Sequence, residues 1–105
     1  MAETLIYHPV PGETWMASTS MWGTGSSHTS EAITLGDALL DEIGVHGWLR
    51  DVGPNGKVLD EDEETNYNDN CAEVNLWSSA GPDYAEADHT FKAPPYEWYP
   101  STSDS

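Results

Sequence analysis

Positive charge is almost absent from this sequence. Arg50, Lys57 and Lys92 are its only arginine and lysine residues, against nineteen aspartates and glutamates, for a net charge of −16. Most carboxylates therefore lack a salt-bridge partner within the chain and must be solvated or met by an external cation. A field of that sign excludes nucleic acid and anionic membrane surfaces as direct partners, because both are polyanions. Cysteine is nearly as scarce: Cys71 stands alone, which excludes an intramolecular disulfide, and without a CxxC pair or a Cys/His cluster structural zinc has no ligand set. A reducing, cytoplasmic setting is the expectation. No run approaches the roughly 20 apolar residues of a membrane span, and Met1-Ala-Glu-Thr4 lacks the basic start and apolar stretch of a secretion signal.

Hydrophobic residues make up only 37% of the chain, so five Trp and five Tyr must supply much of a small, aromatic-rich core. At 105 residues the chain is expected to form one domain over residues 1–100 with a frayed polar tail at 101–105.

Thr4 to Val10, stopped by Pro9, Pro11 and Gly12, reads as an edge strand, and Glu13 to Trp22 as a second strand with apolar groups on both faces; the two are expected to form a hairpin. Gly23 to Ser30 reads as a polar loop. Leu35, Leu39, Leu40 and Ile43 then share one face at helical spacing, with Thr34 as a capping residue and Gly44 as a stop, which predicts a helix over 35–43. Val45 to Arg50 returns to alternation, and Val52-Gly-Pro-Asn-Gly56 carries a turn signature ahead of Lys57-Val-Leu59, so a β-hairpin is expected there. Asp60 to Asn70 reads as a polar loop, Cys71 to Trp77 as a strand with Ala72, Val74 and Leu76 on one face, and Ser78 to Asp88 as a loop. His89 to Pro100 reads as an extended segment whose rings anchor on the body. Together these give an α+β domain: an antiparallel sheet of about four to five strands packed against one short helix.

The motifs that would carry catalysis or cofactor binding are missing. Asp60-Glu-Asp-Glu-Glu64, with Asp69 nearby, lacks the central glycine that a calcium loop needs among its alternating acids. His8, His28, His46 and His89 fall at no metal-binding spacing, and Gly23-Thr-Gly-Ser-Ser27 lacks the lysine of a phosphate-binding loop. Cys71, among acids that raise a thiol pKa, reads as a packed structural thiol. Neither a cofactor nor a bound metal is expected, and no enzymatic activity.

What remains is where the acids lie. Residues 31 to 73 hold twelve of the nineteen, with only Arg50 and Lys57 among them, a local net charge of −10. Asp41 and Glu42 would occupy the last turn of the expected helix, where the macrodipole penalises them, and 60–64 packs five like charges in sequence. Asp37, Asp41, Glu42, Asp51, Asp60, Glu61, Asp62, Glu63, Glu64, Asp69 and Glu73, with Trp48, Tyr67 and Trp77 as aromatic anchors, are therefore the expected partner-binding residues. Their complement is the basic surface of a nucleic-acid-binding protein, the acidic face acting as a nucleic-acid mimic in the manner of a small host-defence inhibitor. The alternative is a halophile-adapted structural or accessory subunit, for instance of a virion, whose carboxylates keep its surface hydrated in molar salt.

Overall fold

In a computed structural model, residues 2–24, 27–79 and 84–105 are described, and their governing period is two. Strands account for 78% of them and none is helical. Seven strands run in order: β1 (Glu3–Tyr7), β2 (Trp15–Thr24), β3 (Ser27–Arg50), β4 (Val58–Ser78), β5 (Tyr84–Ala93), β6 (Tyr96–Trp98) and β7 (Ser101–Asp104). All pairings are antiparallel. β1 pairs with β2, β2 with the first half of β3, β4 with β3 along most of its length, and β5 with the second half of β3; β6 and β7 share the other edge of β5.

A straight strand of the length of β3 would span about 80 Å, yet the longest dimension of the molecule is 43 Å. The difference is a corner in the β3–β4 hairpin. Between the pairs Leu35↔Cys71 and Leu40↔Asp69, β3 advances five residues while β4 advances two, and the surplus bends the strand sharply, as bulges do. The sheet curls over into an antiparallel half-barrel, with the two halves of β3 facing each other across the core. The layers come close at Gly47: a Cβ there would lie 2.9 Å from Val74 Cγ2 and 3.8 Å from Ala32 Cβ.

Between the layers, small side chains (Ala17, Ala32, Ala72, Ala87) alternate with Trp15, Leu40, Ile43, Val45, Val74 and Phe91. Trp15 stacks on Phe91, centroids 5.2 Å apart and planes 7° off parallel, and Trp98 packs on Phe91 at 5.0 Å and on Tyr7 at 5.3 Å. This ring cluster of tilted contacts and one stacked pair ties β1, β2, β5 and β6 together.

Carboxylates close both seams of the half-barrel. Along one, β7 bridges β5 to β2 and β1: Asp104 Oδ2 accepts the Met21 N–H at 2.7 Å and Glu3 Oε1 the Ser103 N–H at 3.0 Å. Along the other, where the two halves of β4 lie edge to edge, Asp60 Oδ2 accepts the Trp77 N–H at 3.0 Å, Glu64 Oε2 the Glu73 N–H at 2.8 Å, and Asn66 Nδ2 donates to the Cys71 carbonyl at 2.9 Å.

The expected α+β arrangement is thus overturned: the chain is all-β. The segment 35–43, predicted as a helix, is strand and corner. Inward positions are even before the corner (Ala32, Thr34) and odd after it (Ile43, Val45), and this switch of parity spaces leucines as a helix does. Thr34 does not cap a helix; its hydroxyl donates to the Gly44 carbonyl at 2.9 Å. The dipole cost assigned to Asp41 and Glu42 falls with the helix. Residues 60–70, expected as a loop, are the middle of β4, and the loop expected over 78–88 gives way to strand β5 from Tyr84; residues 80–83 lie outside those described. Of the polar loop expected at 23–30, residues 25 and 26 lie outside the described residues and the rest are strand. Residues 101–104, expected to fray, form β7.

Candidate acidic interface

The outward face of the second layer is built from three adjacent strands whose register aligns their side chains in rows. Across β5, β3 and β4 these rows read Glu86–Trp48–Glu61, Asp88–His46–Glu63, Thr90–Gly44–Thr65 and Lys92–Glu42–Tyr67. Gly44 lies covered between Thr65 and Thr90: a Cβ there would stand 3.2 Å from Thr65 Oγ1 and 3.6 Å from Thr90 Cβ. In the upper two rows, four carboxylates surround a central aromatic pair. His46 lies flat on Trp48, centroids 4.0 Å apart and planes 12° off parallel. The imidazole also meets Glu61 Oε2 at 2.8 Å through Nε2 and Glu63 Oε2 at 3.4 Å through Nδ1. Arg50 Nε donates to Glu86 Oε1 at 2.7 Å at the end of the same face, and Lys92 Nζ lies 3.7 Å from Glu42 Oε2.

Successive carboxylates on one strand face stand about 6.8 Å apart, and those on strands two apart about 9.6 Å. The step along β4 matches, in order of magnitude, the step between phosphates along a nucleic-acid strand. Glu61, Glu63 and Asp88 are exposed, while His46 and Trp48 are half-buried.

Apart from Glu42 and Tyr67 in its last row, the other expected partner-binding residues do not join this face. Asp60 and Glu64 are turned to the seam. Asp37 sits in the corner, where Oδ2 accepts the Thr14 N–H at 2.9 Å, and Asp41 follows it on the exposed outer side. Asp51 holds the β3–β4 turn: its Oδ1 accepts the N–H groups of Val52 and Lys57, both at 2.7 Å. Asp62 and Asp69 each accept the N–H of the next residue, at 2.8 and 2.7 Å. Trp77, 55% exposed, and Glu73 lie on the outer face of the opposite layer, where burial first and then the Glu73 charge push the Glu31 carboxyl above its ordinary range. Tyr67, 70% exposed, flanks the acidic face at its lower end.

Three members of the face were not anticipated: His46, Glu86 and Asp88. The spacing of His46 and Trp48, two apart in an alternating segment, was the available signal for the first. Glu86 and Asp88 were hidden by reading that segment as a loop.

Other sites carry less chemistry. An apolar cleft of about 360 Å³ at the corner is lined by Thr14, Met16, Leu35, Gly36, Asp37 and Asn70. Its polar groups are committed, Asp37 to Thr14 and Asn70 Nδ2 to the Gly36 carbonyl at 3.2 Å. The Cys71 thiol is pushed up by burial and then by Glu73, Asp69 and Glu64, which suppresses the reactive thiolate. Among the described residues no three His, Cys, Asp or Glu side chains converge as metal ligands, and no helix is long and apolar enough to cross a membrane.

Fold and surface together define a curled all-β protein with a carboxylate-framed aromatic face. No protein-family model, curated protein or solved structure matches the chain.

Proposed function

We propose that this chain is a non-enzymatic binding protein whose negative face occupies the basic, nucleic-acid-binding surface of a protein partner, as a nucleic-acid mimic. The observation that carries this reading is the frame of Glu61, Glu63, Glu86 and Asp88 around His46 and Trp48 on a rigid three-stranded face. Carboxylates fixed by sheet register steer a cationic groove over a long range, and an indole within them offers a surface on which a partner arginine stacks. No cofactor or metal enters this reading.

A second reading, adaptation to high salt in a small structural or accessory subunit, draws on a different observation. The remaining acids are distributed over the corner, the turn, both seams and both outer faces, as a solvent adaptation distributes them. Near-UV circular dichroism from low salt to molar KCl separates the two. A mimic is cooperatively folded at low salt; a chain that acquires its aromatic signal only in molar KCl is a halophile's protein and not a mimic.

A further inference from the structure

The half-barrel contains one buried polar chain that neither the acidic face nor the apolar core explains. His89, 2% exposed, lies between three buried threonines. Its Nδ1 is 2.7 Å from Thr34 Oγ1, its Nε2 is 2.7 Å from Thr102 Oγ1, and Thr102 Oγ1 is 2.6 Å from Thr19 Oγ1. Thr34 donates its own hydrogen to the Gly44 carbonyl, so its oxygen must accept from His89 Nδ1–H. A neutral imidazole then has a lone pair at Nε2, which accepts from Thr102, whose oxygen in turn accepts from Thr19. Each donor is used once, in one direction, across β2, β7, β5 and β3. The His89 N–H also donates to the Pro100 carbonyl at 2.9 Å, at the entrance to β7.

We propose that this chain is an acid-sensitive clasp: protonation of His89 turns Nε2 from an acceptor into a donor, and strand β7 then releases from the sheet and opens the seam between β2 and β5. An Nε2–H leaves the Thr102 hydrogen nowhere to go but Thr19, whose own hydrogen then loses its acceptor in a buried site, while the imidazolium gains no carboxylate.

The ionisable groups around it do not offset that charge by hydrogen bonding. On β5, Asp88 points to the outer face and accepts the Ser101 hydroxyl at 2.6 Å. On β7, Asp104 accepts the Met21 N–H, and on β1, Glu3 accepts the Ser103 N–H, so neither carboxylate is bonded to the imidazole. β2 carries no ionisable side chain, and the inward positions Thr34, Ile43 and Val45 of β3 and Ala72 and Val74 of β4 carry none. Burial holds the folded imidazole at about 4 against its ordinary 6.5, a depression the Asp88 charge only partly opposes. Once β7 is released His89 titrates near its ordinary value, so between those two pH values acid favours the released form, by about a hundredfold from pH 7 to pH 4.

Hydrogen exchange of the full-length chain, read by NMR between pH 7 and pH 4, tests this. Protection of the amides of residues 101–104 is expected to fall about a hundredfold while that of β2, β3 and β4 persists, with the same midpoint as the His89 imidazole resonances. His89→Gln is expected to abolish the transition and Asp104→Asn to retain it. If His89→Gln does not fold, coincidence of the two wild-type midpoints decides alone. The proposal is overturned if β7 stays protected at pH 4, exchanges only together with the whole sheet, or follows a midpoint different from that of His89.

Discussion

The Asp60 carboxylate accepts the backbone N–H of Trp77 across a seam of the half-barrel, joining two parts of one strand seventeen residues apart. Glu64 does the same for Glu73. A long edge strand normally exposes a row of unpaired N–H groups that invites another strand; here the acidic run occupies part of it. Asp60→Ala and Glu64→Ala are each expected to cost about 1–3 kcal/mol by urea denaturation, the usual loss for a charge-assisted bond. The double variant is expected to self-associate in sedimentation velocity despite its remaining charge. Asp60→Asn, which keeps an acceptor, is expected to lose less.

Gly47 sits where the layers touch. Gly47→Ala drives a methyl to within 2.9 Å of Val74 Cγ2, and overpacking of this kind costs about 1–3 kcal/mol. The expected result is a lower urea midpoint at unchanged slope, partly restored in Gly47→Ala/Val74→Ala.

Asp51 shapes the turn between β3 and β4 by accepting two backbone N–H groups, and a Cβ on Gly56 would overlap the Val52 carbonyl oxygen. Asp51→Ala is expected to cost about 1–2 kcal/mol, and Gly56→Ala more than Asp51→Ala. Thermal unfolding by circular dichroism ranks them.

The pH profile of global stability follows from His89. Its folded value lies below its unfolded one, so the unfolded chain binds the extra proton and stability falls as pH drops from 6.5 towards 4. The loss approaches about 3 kcal/mol, opposed by the relief of carboxylate repulsion, of which Glu31 is the clearest case: its raised folded value means that acid removes a penalty there. In His89→Gln only the second effect remains, so denaturation midpoints over this window are expected to rise, or fall less, with acid than those of the wild type.

Much of the strand pattern can be read directly from residues. Trp15, Ala17 and Thr19 recur with a period of two and are buried, as are Ala72, Val74 and Leu76, and Pro54-Asn-Gly56 marks the β3–β4 turn. The corner defeats the same reading because a bulge reverses which positions face inward, and Leu35, Leu39, Leu40 and Ile43 then imitate a helix face although Leu35 and Leu39 end up exposed. The run 60–64 defeats it for another reason. One row of its acids faces solvent and the other faces N–H groups nine and seventeen residues away, and partners of that kind leave no local trace. The same holds for the acidic face, where Glu61, Glu63 and Trp48 stand out by type but Glu86 and Asp88 join them only through the register of β5.

The face itself is tested most directly by competition. Partners captured on the immobilised protein at moderate salt are challenged with duplex DNA, alongside Glu61→Gln/Glu63→Gln/Asp88→Asn and, as a control for bulk charge, the seam variant Asp60→Asn/Glu64→Gln. The expected result is a basic partner that DNA displaces, that the face variant fails to retain, and that the seam variant retains. A partner that holds DNA and this protein at once, or that binds the face variant as well as the wild type, would contradict the mimic.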